Sequence, residues 1–283
     1  MRLYESHKEM YKLFAITTVI LIFLSSYVQA GITVDPMKMY FEAEPGENIT
    51  KTITVENTGT SSTEVSLNLV DWWRTPEGQL QFFSPGSQDN SCGEWLLYSP
   101  GSLTIPPKES RDVTVEMQVP TNLTALGDHW AMLLIQESGS TSEGQNQVAT
   151  RITINYIVKI FFDDPSYKEK TAKITKIEVV EKNPLTLALV VENTSQSYLR
   201  AGGTVSIRNL QGETEKEIEV EQFGILPEAT REIRVTASEK PSLPTGQYYA
   251  IAVMDFGGDH LVQGGLQFET AETVPEDKSE ETG

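Results

Sequence analysis

The chain has 283 residues, with 22 basic against 40 acidic side chains and a net charge of −18. That balance favours solubility and repels nucleic acid. Cys92 is the only cysteine, so no intramolecular disulfide can form and each folding unit must be held by its own core.

The first segment reads as a signal peptide. Arg2, Lys8 and Lys12 precede an uncharged run from Leu13 to Leu24, and Val28-Gln29-Ala30 ends it. Cleavage after Ala30 is expected, with a retained membrane anchor as the alternative. Removing residues 1–30 leaves 19 basic and 38 acidic side chains. The mature chain then has no stable membrane span, and export points to the periplasm, with the cell surface as a second location.

From there the chain reads as strands. Ile32 and Val34, then Met37, Met39 and Phe41, form an edge run broken at Pro36. Ile49, Ile53 and Val55 form a second run that stops at Asn57-Thr58-Gly59. Val65, Leu67, Leu69 and Asp71 alternate with Ser66, Asn68 and Val70 up to Trp72-Trp73. Residues 75–94 read as turns. Val113, Val115, Met117 and Val119 alternate strictly, and alternation puts Trp130, Met132 and Leu134 on one face, read as the core face. Residues 137–147 are flexible by composition, and the longest strand runs from Val148 to Phe162. Asp163-Asp164-Pro165 ends it.

A shorter version of the scheme follows. Leu185, Leu187, Leu189 and Val191 end at Asn193-Thr194; Gln211-Gly212 and Phe256-Gly257-Gly258-Asp259 are turns; the acidic tail from Ala271 reads as disordered. The two halves are repeats. Val55-Glu56-Asn57-Thr58 recurs as Val191-Glu192-Asn193-Thr194, 136 positions on. Ile105-Pro106 with Ser110-Arg111-Asp112-Val113 recurs as Leu226-Pro227 with Thr230-Arg231-Glu232-Ile233, offset 121 at the proline. Leu126-Gly127 before Trp130 is answered by Thr245-Gly246 before Tyr249. Short alternating strands between turns, twice over, predict an all-β chain of two immunoglobulin-like β-sandwich domains in tandem. The boundaries are 31–165, a linker at 166–171, 172–270, and a tail at 271–283.

Catalytic and metal chemistry find no foothold. His129 and His260 stand without spaced ligand partners, and no nucleophile elbow or phosphate loop is present. The reading is no enzyme, no cofactor and no metal site. Trp72, Trp73, Trp95 and Trp130 raise a carbohydrate platform as a third option. The strand 148–162 is the exception to a purely structural account. Ile152, Ile154, Tyr156, Val158 and Ile160 share one face, while Ile157 and Phe161 sit beside Lys159 on the other. A strand apolar on both faces suits either packing between domains or an open edge that accepts an extended partner. Lys159 could then hold a chain-end carboxylate.

At this point the chain resembles the periplasmic pilus-assembly chaperones. The residues that carry the resemblance are Asp35-Pro36-Met37-Lys38-Met39-Tyr40-Phe41, the strand ending Asn57-Thr58, Leu103-Thr104-Ile105-Pro106-Pro107, and Ile157-Val158-Lys159-Ile160-Phe161-Phe162. The resemblance implies capture of an exported or pilus-type subunit by strand addition without bond chemistry, with an outer-membrane usher as a further partner. It also implies Lys38 and Lys159 as carboxylate anchors, Lys38 standing where an arginine is usual. Ile152, Ile154, Tyr156, Ile157, Val158, Ile160 and Phe161 are the expected strand-pairing set. Phe162-Asp163-Asp164-Pro165 departs from the tyrosine, arginine and proline of that family, so the basic residue that ties the domains is missing. A structural or adhesion-type envelope protein is the alternative.

Overall fold

The computed structural model describes residues 31–123, 125–137, 153–238 and 243–270. The signal segment, the loop leading into the long strand together with Ile152, and the acidic tail lie outside the described residues.

The alternating runs form two β-sandwiches. In the first, β1 (Ile32–Asp35), β3 (Asn48–Asn57), β8 (Ser110–Gln118) and β6 (Leu96–Ser99) make one sheet in the order β1-β3-β8-β6. The facing sheet has the order β2-β10-β9-β4-β5, from β2 (Lys38–Phe41), β10 (Ile154–Phe162), β9 (His129–Glu137), β4 (Thr63–Arg74) and β5 (Leu80–Phe83). The strand β7 (Ser102–Ile105) pairs with the start of β4. The break at Pro36 is where the chain leaves one sheet for the other, because proline lacks the N–H a continuing ladder needs. The stretch 75–94, turn-rich by composition, also contains β5, whose Leu80-Gln81-Phe82-Phe83 run closes a hairpin on Asp71–Arg74.

The second sandwich packs β11 (Ala172–Lys182), β12 (Leu185–Asn193) and β15 (Thr230–Thr236) against β14 (Thr214–Ile225), β13 (Leu199–Asn209), β16 (Gly246–Asp255) and β17 (Val262–Thr270), in the orders β11-β12-β15 and β14-β13-β16-β17. Both units are immunoglobulin-like, with mostly antiparallel sheets facing across an apolar core.

The repeat has a physical cause. Asn57 is buried and its Nδ2 donates to the carbonyls of Ser61 (2.7 Å) and Ile105 (2.8 Å), while its Oδ1 accepts from Gly59 N–H (2.8 Å). Asn193 does the same with Ser197 (2.8 Å), Ile225 (3.3 Å) and Ser195 N–H (2.9 Å). A buried amide that satisfies three backbone groups fixes the corner where the strand ends. The second landmark is a turn. Glu109 N–H donates to Pro106 carbonyl (3.2 Å) with Lys108 at φ 62°, and Ala229 N–H to Leu226 carbonyl (3.1 Å) with Glu228 at φ 57°. Those are proline turns with a left-handed third residue. They align Pro107, not Pro106, with Pro227, so the offset through this segment is 120.

One face assignment is corrected. The residues of β9 that point into the first sandwich are Ala131, Leu133 and Ile135. Trp130 and Met132 are buried too, but with Trp72 and Phe161 they belong to the apolar cluster that continues into the second sandwich. Alternation separates the faces correctly; it cannot say that the outer face is covered by a second module.

Candidate strand-accepting edge and cationic cleft

Strand β10 is paired along its whole length on one side, from Ile154 opposite Glu137 to Phe162 opposite His129 in β9. On the other side β2 runs parallel to it, but only from Lys159 opposite Lys38 to Phe162 opposite Phe41. Among the described residues no strand pairs with Ile154–Val158 on that side. Lys159 N–H donates to Met37 carbonyl (3.0 Å) and Asp163 N–H to Phe41 carbonyl (2.8 Å), so odd-numbered residues face β2. Strand alternation then points the N–H and C=O of Asn155 and Ile157 at the open edge.

The expected pairing set is therefore divided. Ile154 is 46% exposed and Tyr156 and Ile157 are half-buried, all on the open stretch. Val158 also lies there, with its side chain in the first core. Ile160 and Phe161 are correctly placed on β10 but unavailable for pairing: their backbones are flanked by Met39 and Ala131, and by Tyr40 and Trp130. The Phe161 ring stacks on Tyr40 (5.3 Å between centroids) and meets Trp72 (6.2 Å) and Tyr198 (4.4 Å) of the second module. It is an interdomain packing residue. Two of the tryptophans raised as a platform are packed inside the fold. Trp72 and Trp130 are 2% and 3% exposed, and their indole N–H groups donate to Ala131 and Trp72 carbonyls.

Where the open edge ends, a cleft of about 230 Å³ begins between the modules. Lys38, Lys159 and Arg74 line it from the first module and Arg231 from the second, together with Trp72, Tyr198, Gln222–Gly224, Leu226 and Ala229. Among the described residues no carboxylate lines it. Lys159 Nζ sits 5.1 Å from the centroid of the Trp72 ring, a cation–π contact that stabilises a partly desolvated ammonium. Burial, and then the charges of Arg74, Lys38 and Arg231, push the Lys159 pKa down to about 8. The two predicted anchors are thus brought together. Arg74 and Arg231 join them from positions that the strand pattern does not mark, Arg231 standing out in the sequence only as a repeat landmark.

The junction is held by acids. Asp128 accepts from Tyr198 N–H (2.6 Å) and Asp164 N–H (3.1 Å), and its own N–H donates to Gln196 carbonyl (2.8 Å). Gly127 is required here. Its φ is 86°, and a Cβ would lie 2.2 Å from the Gln196 carbonyl oxygen. Burial raises the Asp128 pKa to about 6 despite these donors. Asp163, where the resemblance led one to expect a base, has its pKa raised by burial and pulled back by Arg200 of the second module. Across the junction, carboxylates of the first module thus meet backbone N–H groups and the Arg200 guanidinium of the second.

Among the described residues no group of three or more His, Cys, Asp or Glu could hold a metal ion, and no helix is long and apolar enough to cross a membrane. Burial pushes the Cys92 thiol pKa up, which leaves it unreactive.

No protein-family model and no curated protein matches the chain. Solved structures do. The YadV chaperone matches at 12% identity over 84% of this chain and 100% of its own, with a TM-score of 0.43. The CsuC–CsuE chaperone–tip adhesion subunit pre-assembly complex of Acinetobacter baumannii matches at 12% identity over 86% and 100%, TM-score 0.43. The SafA pilin in complex with the SafB chaperone of Salmonella enterica matches at 15% identity over 86% and 99%, TM-score 0.42.

Proposed function

We propose that this protein is a periplasmic chaperone-like protein that captures an exported subunit by strand addition, stoichiometrically and without bond chemistry. The observation that carries this reading is continuity: the edge of β10 at Ile154–Val158, unpaired among the described residues, runs into a cleft whose described lining has cations and no carboxylate. An extended client would bond to the backbone of Asn155 and Ile157 and take the place that β2 fills further along. For its terminal carboxylate to reach Lys38 and Lys159 it must run in the same direction as β10, end to end with β2. Capture would cover the client's unpaired edge and suppress its aggregation.

Binding of a synthetic twelve-residue peptide of alternating valine and threonine tests this reading. It should bind with a free carboxylate and lose at least about tenfold in affinity, about 1.4 kcal/mol, when amidated. Asn155→Pro removes one edge N–H without deleting a core side chain, and should weaken the same complex. Equal affinity for acid and amide, with no effect of Asn155→Pro, would refute strand capture at this edge.

A further inference from the structure

The cleft holds more positive charge than one chain-end carboxylate can use. Lys38 and Lys159 face each other in register, and either alone could pair with such a group. Arg74 stands at the end of β4, and Arg231 enters from β15 on the other module. Among the described residues none of the four has an acidic partner within ion-pair distance. Arg231 is only 8% exposed, and its Nε is buried with no hydrogen-bond partner. Its Nη1 reaches the Gly224 carbonyl at a long 3.4 Å.

Burying an unpaired guanidinium beside other cations is costly, and that cost is recovered only when an anion arrives. The Arg231 and Lys159 positions are also held in place before any ligand binds. Trp72 carries the Lys159 ammonium, and the turn after β4 is tied to β15 beside Arg231 by Glu232 N–H donating to Pro76 carbonyl (2.8 Å). Tyr198 closes the side of the cleft, its hydroxyl occupying the space a side chain at Gly224 would need. A volume of about 230 Å³ holds roughly eight waters at ~30 Å³ each, room for one acidic side chain together with a terminal carboxylate.

We infer that the cleft recognises a client chain end bearing two carboxylates, the α-carboxylate on Lys38 and Lys159 and an acidic side chain of the last residue on Arg74 and Arg231. This rests on the strand-capture reading and narrows its client class. Because Arg231 belongs to the second module, the acidic residue is read by both modules at once, and binding ties them together. A planar guanidinium fork suits a side-chain carboxylate bidentately, which a lysine does not.

The test uses four peptides of the alternating valine–threonine sequence, ending in glutamate or glutamine, each as free acid and as amide, titrated into the full chain by calorimetry. The glutamate acid is expected to bind at least about tenfold tighter than the glutamine acid, roughly the effect of one desolvated charge pair. That ratio should fall to within about twofold in Arg74→Gln and in Arg231→Gln, whose folding is checked by near-ultraviolet circular dichroism. Arg74→Gln lies wholly in the first module and stays informative if Arg231→Gln disturbs the junction. A ratio near one on the wild-type chain, or one preserved in both variants, overturns the inference. Amidation separates the two levels: if the glutamine acid outbinds its amide while glutamate confers no advantage, strand capture stands and the double-acid reading falls. If none of the four peptides binds, both fall.

Discussion

Lys159 and Lys38 lie directly opposite one another across the parallel pair of β10 and β2, two like charges in register at the point where the open edge closes. Like charges placed so oppose folding unless something else requires them. Replacing Lys159 with methionine should therefore stabilise the free protein by about 1 kcal/mol or more, since an apolar group of similar length replaces a partly buried, unpaired ion. The same change should cost at least about tenfold in affinity for the free-acid peptide. Urea unfolding and calorimetry on one preparation measure both; loss of stability together with unchanged affinity would contradict the anchor assignment.

Binding should also depend on pH in an unusual range. The Lys159 pKa is pushed down to about 8 by burial and three neighbouring cations, so its charge is lost as pH rises through 8 instead of near the ordinary lysine value. Peptide affinity should decline between pH 7 and pH 9. The decline should be absent in Lys159→Met. An affinity that stays flat in the wild-type chain over that range would place the carboxylate elsewhere.

Asp128 gives the opposite kind of dependence. Its folded pKa of about 6 lies above the ordinary aspartate value of 3.8. The folded state therefore takes up a proton between those values that the unfolded chain does not. Its stabilising contribution is full below 3.8 and lost as pH rises through 6. The stability deficit of Asp128→Asn relative to wild type should accordingly grow as pH falls from 7 to 4.5. A deficit that shrinks would mean the backbone donors Tyr198 and Asp164, and not burial, dominate.

Phe161 is where the two cores meet. Phe161→Ala should cost about 3–5 kcal/mol, as for other fully buried aromatic rings, and should split a single unfolding transition into two. Asn193→Leu should cost about 2–4 kcal/mol by stranding the carbonyls that Asn193 satisfies, and should lower that single transition without splitting it. Differential scanning calorimetry distinguishes the two patterns.

Much of this was legible in the chain. Strand alternation and the two Asn-Thr corners gave the tandem sandwiches, because each corner needs a buried amide at that position. Lys159 stood out on its own strand, Lys38 came through resemblance, and their register across β10 and β2 is visible only in the structure. What the sequence could not show is which face of each sheet the other module covers. Trp130 and Met132 read as core of their own sandwich for that reason. Arg111 and Arg231 make the same point, occupying one position in the repeat. Arg111 is exposed and pairs with Glu109 at 2.8 Å, whereas Arg231 is turned into the cleft with no acid beside it among the described residues. Only the docking of the modules separates their roles.

The most direct measurement is amide hydrogen exchange along β10 with and without bound free-acid peptide. Asn155 and Ile157 should exchange fast in the free protein and slow by at least about tenfold when the peptide binds, since a paired ladder amide opens rarely. Tyr156 and Val158, already directed at β9, should change little. Uniform protection across all four amides, or none at Asn155 and Ile157 when the peptide is bound, would contradict the account.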